Sequence, residues 1–125
     1  MKCFRINRQK WFRGKGADSS RLLNEYGQMC CLGFLALEAG YKEEEIKKKS
    51  TPREPAYDCG IKGDVAKLVE GDVTPSGKRV KNNAICDQLM LINDSMMLSD
   101  YDREVKLTAE FAKIGLQPLF YDDPS

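Results

Sequence analysis

One apolar stretch constrains the fold of this chain more than any other feature. It runs from Met29 to Leu37, and its only non-apolar residue is Gly33. A chain of 125 residues, of which 42 % are hydrophobic, has material for one core and too little for two. We therefore predict a single domain, residues 1–125, built around this stretch. Because a membrane span needs roughly 20 apolar residues, we expect no contact with a membrane.

The apolar stretch has the spacing of a helix. Four of its residues recur at intervals of three and four positions: Cys31, Phe34, Leu35 and Glu38. Gly40 follows where a helix commonly ends. A short buried strand over 29–32 that leads into the helix is the alternative. Gly33 costs about 1 kcal/mol relative to alanine inside a helix, so we expect it to serve close backbone packing.

Two further helices are predicted in the second half of the chain. The first starts after Asn82 or Asn83, and its apolar row is Ile85, Leu89 and Ile92. The second starts at Ser99 or Asp100 and ends at Gly115, with Leu107, Phe111 and Ile114 as its buried row. The segment 116–121 is predicted to be a strand, and Pro118 restricts that strand to a sheet edge.

The remaining segments are weaker patterns. We predict a short helix over 2–13 and a charged helix over 42–49, in which Glu and Lys lie four residues apart. We predict that residues 50–83 form a loop-rich insertion, because prolines and glycines interrupt this segment, with a short helix near 64–70. The prediction is an α+β, mostly helical domain of about four to five helices, with a small sheet that includes a C-terminal edge strand.

The near-zero net charge hides a strong asymmetry along the chain. Residues 1–21 contain seven basic side chains against one acidic, a net of +6, whereas residues 100–125 contain three against six, a net of −3. The basic segment is typical of a surface that binds nucleic acid, a nucleotide or an acidic protein. The alternative is a solvated face whose charges satisfy the acidic end of the chain.

The residue types argue against catalysis. The chain has no His, which is the commonest general base and metal ligand. Cys30 and Cys31 would need an activating base as nucleophiles, so we predict that both are reduced and buried. The predicted core that they join also contains Phe34, Leu35, Leu89 and Phe111. The five cysteines lack the spacing of a zinc site, so we predict no metal and no cofactor. Because the chain has no His to activate a nucleophile, we also predict no enzymatic activity.

The segment 13–16, RGKG, is the best candidate for a binding site. Glycines let backbone N–H groups approach an anion, and the neighbouring Arg13 and Lys15 supply charge. The rings of Trp11 and Phe12 could stack on a base. The candidate residues for binding an anion or a partner are Arg5, Arg8, Trp11, Arg13, Gly14, Lys15 and Gly16. The alternative is a simple turn.

The pair Asn93-Asp94 lies between the two predicted C-terminal helices. Its side chains can hydrogen-bond the free N–H and C=O groups at helix ends. We therefore predict that Asn93 and Asp94 are structural caps.

Three motifs in this sequence resemble those of a group of small phage and prophage proteins. They are KWFRGKG at 10–16, MCCLG at 29–33 and LMLINDS at 89–95, in the same order and spacing, so the resemblance covers nearly the whole chain. The chain departs from the pattern at Met29, where an aromatic residue is usual, and at 71–83, which looks like an insertion. The resemblance implies a viral protein in the cytoplasm of an infected bacterium and implies no mechanism.

We expect a protein of this kind to act by binding. The leading hypothesis is a host-takeover or counter-defence inhibitor that binds a host protein or nucleoprotein complex stoichiometrically, with anti-CRISPR activity as one specific case. Residues 2–21 are the expected contact surface. The second hypothesis is a module that sequesters a small anionic ligand, such as a nucleotide signal, at RGKG.

Overall fold

The computed structural model describes residues 1–16, 20–69, 72–73, 79–80 and 83–123. Among these residues it has six α-helices, one 3₁₀ turn at Gly63–Val65 and four strands. The helices are α1 (Cys31–Glu38), α2 (Glu43–Ile46), α3 (Arg53–Cys59), α4 (Ala66–Val69), α5 (Asn83–Asp94) and α6 (Asp100–Ala112). The strands are β1 (Lys2–Asn7), β2 (Asp72–Val73), β3 (Arg79–Val80) and β4 (Leu116–Tyr121). The predicted mostly helical α+β class is confirmed.

The two ends of the described chain form a parallel pair of strands. β1 lies beside β4 in register from Lys2 opposite Leu116 to Asn7 opposite Tyr121. The predicted strand at 116–121 is therefore present, whereas the predicted helix over 2–13 is wrong. In β1, Phe4 and Ile6 are buried and the residues between and before them are exposed, which is the alternation of a half-buried strand.

Helix α1 occupies the centre of the core. Every residue from Cys31 to Ala36 is buried, and the helix packs against β1 and α5. Gly33 lies so close to the backbone of Leu22 that an added Cβ would clash with the Leu22 carbonyl oxygen. The residues predicted to form the core are all buried: Cys30, Cys31, Phe34, Leu35, Leu89 and Phe111. The glycine therefore has the packing role that its cost in a helix suggested.

Two predicted elements have different bounds. The charged helix is only α2, because the chain turns away after Ile46: Lys48 has a φ of 63°, its N–H donates to the Leu23 carbonyl, and the Lys49 carbonyl accepts from the Leu22 N–H. Helix α3 was not predicted, since two prolines interrupt its sequence. Pro52 precedes the helix and Pro55 lies in its first turn, where a missing N–H removes no helical hydrogen bond.

The segment 50–83 is thus less irregular than predicted. A short helix near 64–70 is present as the 3₁₀ turn and α4, and 72–73 pairs with 79–80 in an antiparallel hairpin. The other residues from 70 to 82 lie outside the described residues, and Asn82, one predicted cap of α5, is among them. In the described part of the chain, no helix combines the length and apolar character that crossing a bilayer requires.

Candidate functional site: a buried asparagine junction and the cationic cavity beside it

Asn93, in the last turn of α5, joins three separated parts of the chain. Its Oδ1 accepts hydrogen bonds from the indole Nε1 of Trp11 at 2.7 Å and from the backbone N–H of Cys31 at 3.0 Å. Its Nδ2 donates to the carbonyl of Phe12 at 3.1 Å and to Oδ1 of Asp94 at 2.9 Å. Cys31 is the first residue of α1, so Asn93 caps that helix from a distant point in the sequence.

The glycine turn at 13–16 closes the other side of this junction. The N–H groups of Gly14 and Gly16 donate to the carbonyls of Asn93 and Asp94, both at 2.8 Å. Both glycines have positive φ, 70° and 78°. These contacts satisfy carbonyl groups at the end of α5, which an isolated helix would leave free. The motif residues Trp11, Gly14, Gly16, Asn93 and Asp94 thus belong to one structural junction.

Arg103, on α6, completes the junction with a buried positive charge. Its side chain is only 3 % exposed, and its Nη1 donates to the carbonyls of Ile92, Asn93 and Ser95 at 2.8, 3.2 and 2.8 Å. Its Nη2 donates to the carbonyl of Leu98 at 2.9 Å. Among the described residues, its Nε is the one buried side-chain nitrogen or oxygen without a hydrogen-bond partner. Burial lowers the pKa of this guanidinium, although an arginine stays charged in a protein.

A cavity of about 540 Å³ opens beside the junction. We call it the Arg103 cavity. Its charged walls are Arg13, Lys15, Arg103 and Asp100, so the described side chains that line it carry a net charge of +2. Its uncharged walls are Trp11, Phe12, Gly14, Gln28, Met96 and Leu98. Such a volume suits a small molecule, and its basic walls suit an anion.

Asp100 lies between the two arginines of this cavity. Its Oδ1 is 3.3 Å from Nε of Arg13 and 4.0 Å from Nε of Arg103, and its Oδ2 is 3.4 Å from Nη2 of Arg13. These distances exceed the 2.7–2.9 Å of strong charge-assisted hydrogen bonds. The carboxylate is 65 % exposed, so it is held loosely.

The basic residues predicted for the N-terminal segment are largely paired within the molecule. Arg8 makes two hydrogen bonds to the carboxylate of Glu104, at 2.8 and 2.9 Å, and one to Asp122 at 3.2 Å. Arg5 lies over the ring of Tyr121, 4.2 Å from its centre. The acidic end of the chain therefore compensates the charge of Arg8, in agreement with the alternative that the basic charges satisfy that end.

Two of the predicted binding contacts are corrected by the structure. Trp11 is 3 % exposed, and its ring contacts Phe120 and the guanidinium of Arg13, so no nucleotide base can stack on it. The amides of Gly14 and Gly16 are already donors to carbonyls, so they do not form the predicted anion cradle. Of the RGKG residues, Lys15 is exposed and lines the Arg103 cavity together with Arg13.

Cys30 and Cys31 lie behind the junction and are shielded from solvent. Burial raises the pKa of the Cys30 thiol to about 12 and raises that of Cys31 well above its usual value. A thiol with a raised pKa is a poor nucleophile at neutral pH. In the described part of the chain, no group of three or more Cys, Asp and Glu side chains has the arrangement of a metal site.

A second surface is apolar and exposed. Met96 and Met97, in the loop before α6, are 74 % and 92 % exposed, and Tyr101 and Val105, on one face of α6, are 77 % and 51 % exposed. We call these four residues the apolar strip. Tyr101 and Val105 also line a hollow of about 320 Å³, to which Glu104, Thr108 and Phe120 contribute. Methionine and tyrosine are well suited to contacts with another protein.

The sequence analysis missed Arg103 and the apolar strip. Arg103 precedes Leu107 and Phe111 by four and eight residues, so it continues the buried row of α6, and that position was its only signal. The sequence signal for the apolar strip was weaker, because its residues are of types that are common in helices and loops.

Comparisons with known proteins give no relative for this chain. No protein-family model, no curated protein sequence and no solved structure matches it. Its function is therefore inferred from its own geometry, and the resemblance to phage proteins stays a prediction.

Proposed function

We propose that this protein acts by stoichiometric binding to a host protein in a phage-infected bacterium, as a host-takeover or counter-defence inhibitor. Inhibition of a CRISPR nuclease complex is one specific form of this function. In this function the protein binds its target and catalyses no reaction, and it does so in the bacterial cytoplasm. The phage-type motifs support the setting, and the apolar strip supports the binding.

The apolar strip is the observation that carries this proposal. Four apolar side chains, two in the loop before α6 and two on one face of α6, are more than half exposed, and exposure of each of them to water is unfavourable. Isolated exposed apolar residues are common, but Tyr101 and Val105 also line a hollow that can receive a side chain of a partner. We therefore place the contact surface on the strip and not on residues 2–21, where the guanidinium of Arg8 is held by the carboxylate of Glu104.

Capture from a bacterial host lysate tests this proposal. The wild-type protein should retain a host protein in a complex of fixed 1:1 stoichiometry, measured by light scattering after size exclusion. The double variant Met97→Ser with Tyr101→Ser should weaken the complex at least about tenfold, because exposed aromatic anchors often dominate binding energy. Neither side chain is buried, so the melting temperature should stay close to that of the wild type.

Tyr57→Ser is the matched control, since Tyr57 is 91 % exposed on α3 and outside the strip. It should leave the complex unchanged. Equal affinity of the wild type and the double variant would contradict the proposed contact surface.

A further inference from the structure

We propose that the Arg103 cavity binds the phosphate group of a small molecule, with Arg13, Lys15 and Arg103 as its positive partners. The cavity shares only Met96 with the apolar strip, and the variants that test the two proposals are at other residues, so either proposal can fail alone. The inference rests on three observations: the charge of the cavity walls, the incomplete pairing of Arg103 and the loose position of Asp100.

The charge of the cavity walls suits a phosphate monoester. The described lining residues include three cations and one carboxylate, for a net charge of +2. A phosphate monoester carries about −1.5 to −2 charges at neutral pH. Its three terminal oxygens can each accept hydrogen bonds, and arginine side chains match their geometry well. A monocarboxylate would neutralise only half of this charge.

The hydrogen bonds of Arg103 fix its position without neutralising it. Four carbonyl contacts hold Nη1 and Nη2, but carbonyl groups carry no net charge. Nε has no hydrogen-bond partner among the described residues, and Oδ1 of Asp100 lies 4.0 Å away. Arg103 is therefore a rigid, buried cation beside a cavity, and its position needs no reorganisation when an anion enters.

Asp100 occupies the place that the ligand would take. Its carboxylate lies between the guanidinium groups of Arg13 and Arg103, but its contacts are long and its side chain is mostly exposed. A phosphate between the same two groups would displace this carboxylate, which can rotate into solvent. Asp100 is thus an internal competitor of the ligand.

Calorimetric titration tests this inference with three probes: pyrophosphate, inorganic phosphate and succinate. The wild-type protein should bind pyrophosphate and phosphate at low ionic strength, and succinate at least about tenfold more weakly. Lys15→Ala should weaken phosphate binding about tenfold, because an exposed cation of the cavity is lost. Asp100→Asn should tighten it about five- to tenfold, because a competing carboxylate is removed.

Lys10→Ala is the matched control. Lys10 is exposed and lies outside the Arg103 cavity, but its removal changes the net charge by the same amount as that of Lys15. It should change the affinity less than about twofold. Equal losses in both lysine variants would show diffuse attraction by the protein's charge and overturn the site. Absence of phosphate binding by the wild type and by Asp100→Asn, or no gain from Asp100→Asn, would also overturn it.

Discussion

At the scale of single residues, Asn93 explains why three distant motifs occur together. Its side chain accepts two hydrogen bonds and donates two, and all four partners come from buried or partly buried positions. An aspartate at this position would have the same size but no N–H group to donate to Phe12 and Asp94, and a leucine would have neither donor nor acceptor. Only an amide of this length serves all four partners, so the position is specific to asparagine.

Replacement of this side chain should strongly destabilise the fold. Asn93→Ala leaves the indole N–H of Trp11 and the N–H of Cys31 buried without acceptors, and each such group costs about 1–3 kcal/mol. We expect a loss of about 2–6 kcal/mol in the free energy of unfolding. Asp94→Ala should lose only about 0.5–2 kcal/mol, since Asp94 mainly orients Asn93.

Urea unfolding followed by the fluorescence of Trp11 measures both variants. Asn93→Ala should also alter the folded-state emission, because Trp11 loses its hydrogen bond. A smaller loss for Asn93→Ala than for Asp94→Ala would contradict the central role of Asn93.

The cysteines should divide into two classes by reactivity. Cys3 and Cys59 are exposed, whereas Cys30, Cys31 and Cys86 are buried. With a thiol reagent at pH 8, two thiols should react quickly and three only at the rate of unfolding. Cys59 should be the slower of the fast pair, because a hydrogen bond to Glu45 raises its pKa. Fast reaction of more than two thiols in the native protein would place Cys30, Cys31 or Cys86 outside the core.

At the scale of elements, β1 is connected to the helical part of the fold by an ion pair. Nζ of Lys2 lies 2.8 Å from Oδ2 of Asp64, in the 3₁₀ turn before α4. This hydrogen bond lowers the pKa of the Asp64 carboxyl below its usual 3.8. Because the folded-state pKa lies below the unfolded-state pKa, the pair contributes stability above pH 4, and the contribution disappears as pH falls through the folded-state pKa.

Asp64→Asn should therefore lower the melting temperature at pH 6 and flatten its decline between pH 5 and pH 2. Lys2→Gln should produce a smaller flattening, because Nζ of Lys67 still lies 3.6 Å from Oδ1 of Asp64, and the double variant should behave like Asp64→Asn alone. Thermal unfolding from pH 2 to pH 6 measures this. If the melting temperature of Asp64→Asn fell as steeply between pH 5 and pH 2 as that of the wild type, the ion pair would not be the source of this decline.

The elements differ in how far their own sequence determines them. Helices α1 and α6 were predictable because their apolar residues recur at helical spacing, and Ser99 caps α6 through a hydrogen bond from Asp102 N–H. β1 was not predictable, since its partner β4 is remote in sequence and a segment of six residues fits the periodicity of a helix as well as that of a strand. The alternation of Phe4 and Ile6 with polar neighbours was present but short.

At the scale of the whole molecule, the charge asymmetry of the sequence is resolved by the fold. The parallel pairing of β1 and β4 brings the basic N-terminal segment beside the acidic C-terminal one, where Arg8 meets Glu104 and Asp122 and Arg13 meets Asp100. Sequence alone showed both charged ends and left open whether the basic end binds a partner or satisfies the acidic end, because it could not place the two ends together. Of the charged residues of the candidate site, only Arg13 and Lys15 were predictable from the sequence. Arg103 and Asp100 come to the site through tertiary contacts, which the sequence does not show.

The pairing of β1 with β4 also has a consequence for synthesis. Partner residues in the two strands are 114 positions apart. A ribosome adds roughly 5–20 residues per second, so β4 is synthesised roughly 6–23 seconds after β1. During that time its edge is open to other extended chains, which is a known route to aggregation. Until β4 has left the ribosomal exit tunnel, β1 therefore lacks the strand that pairs with it in the folded protein.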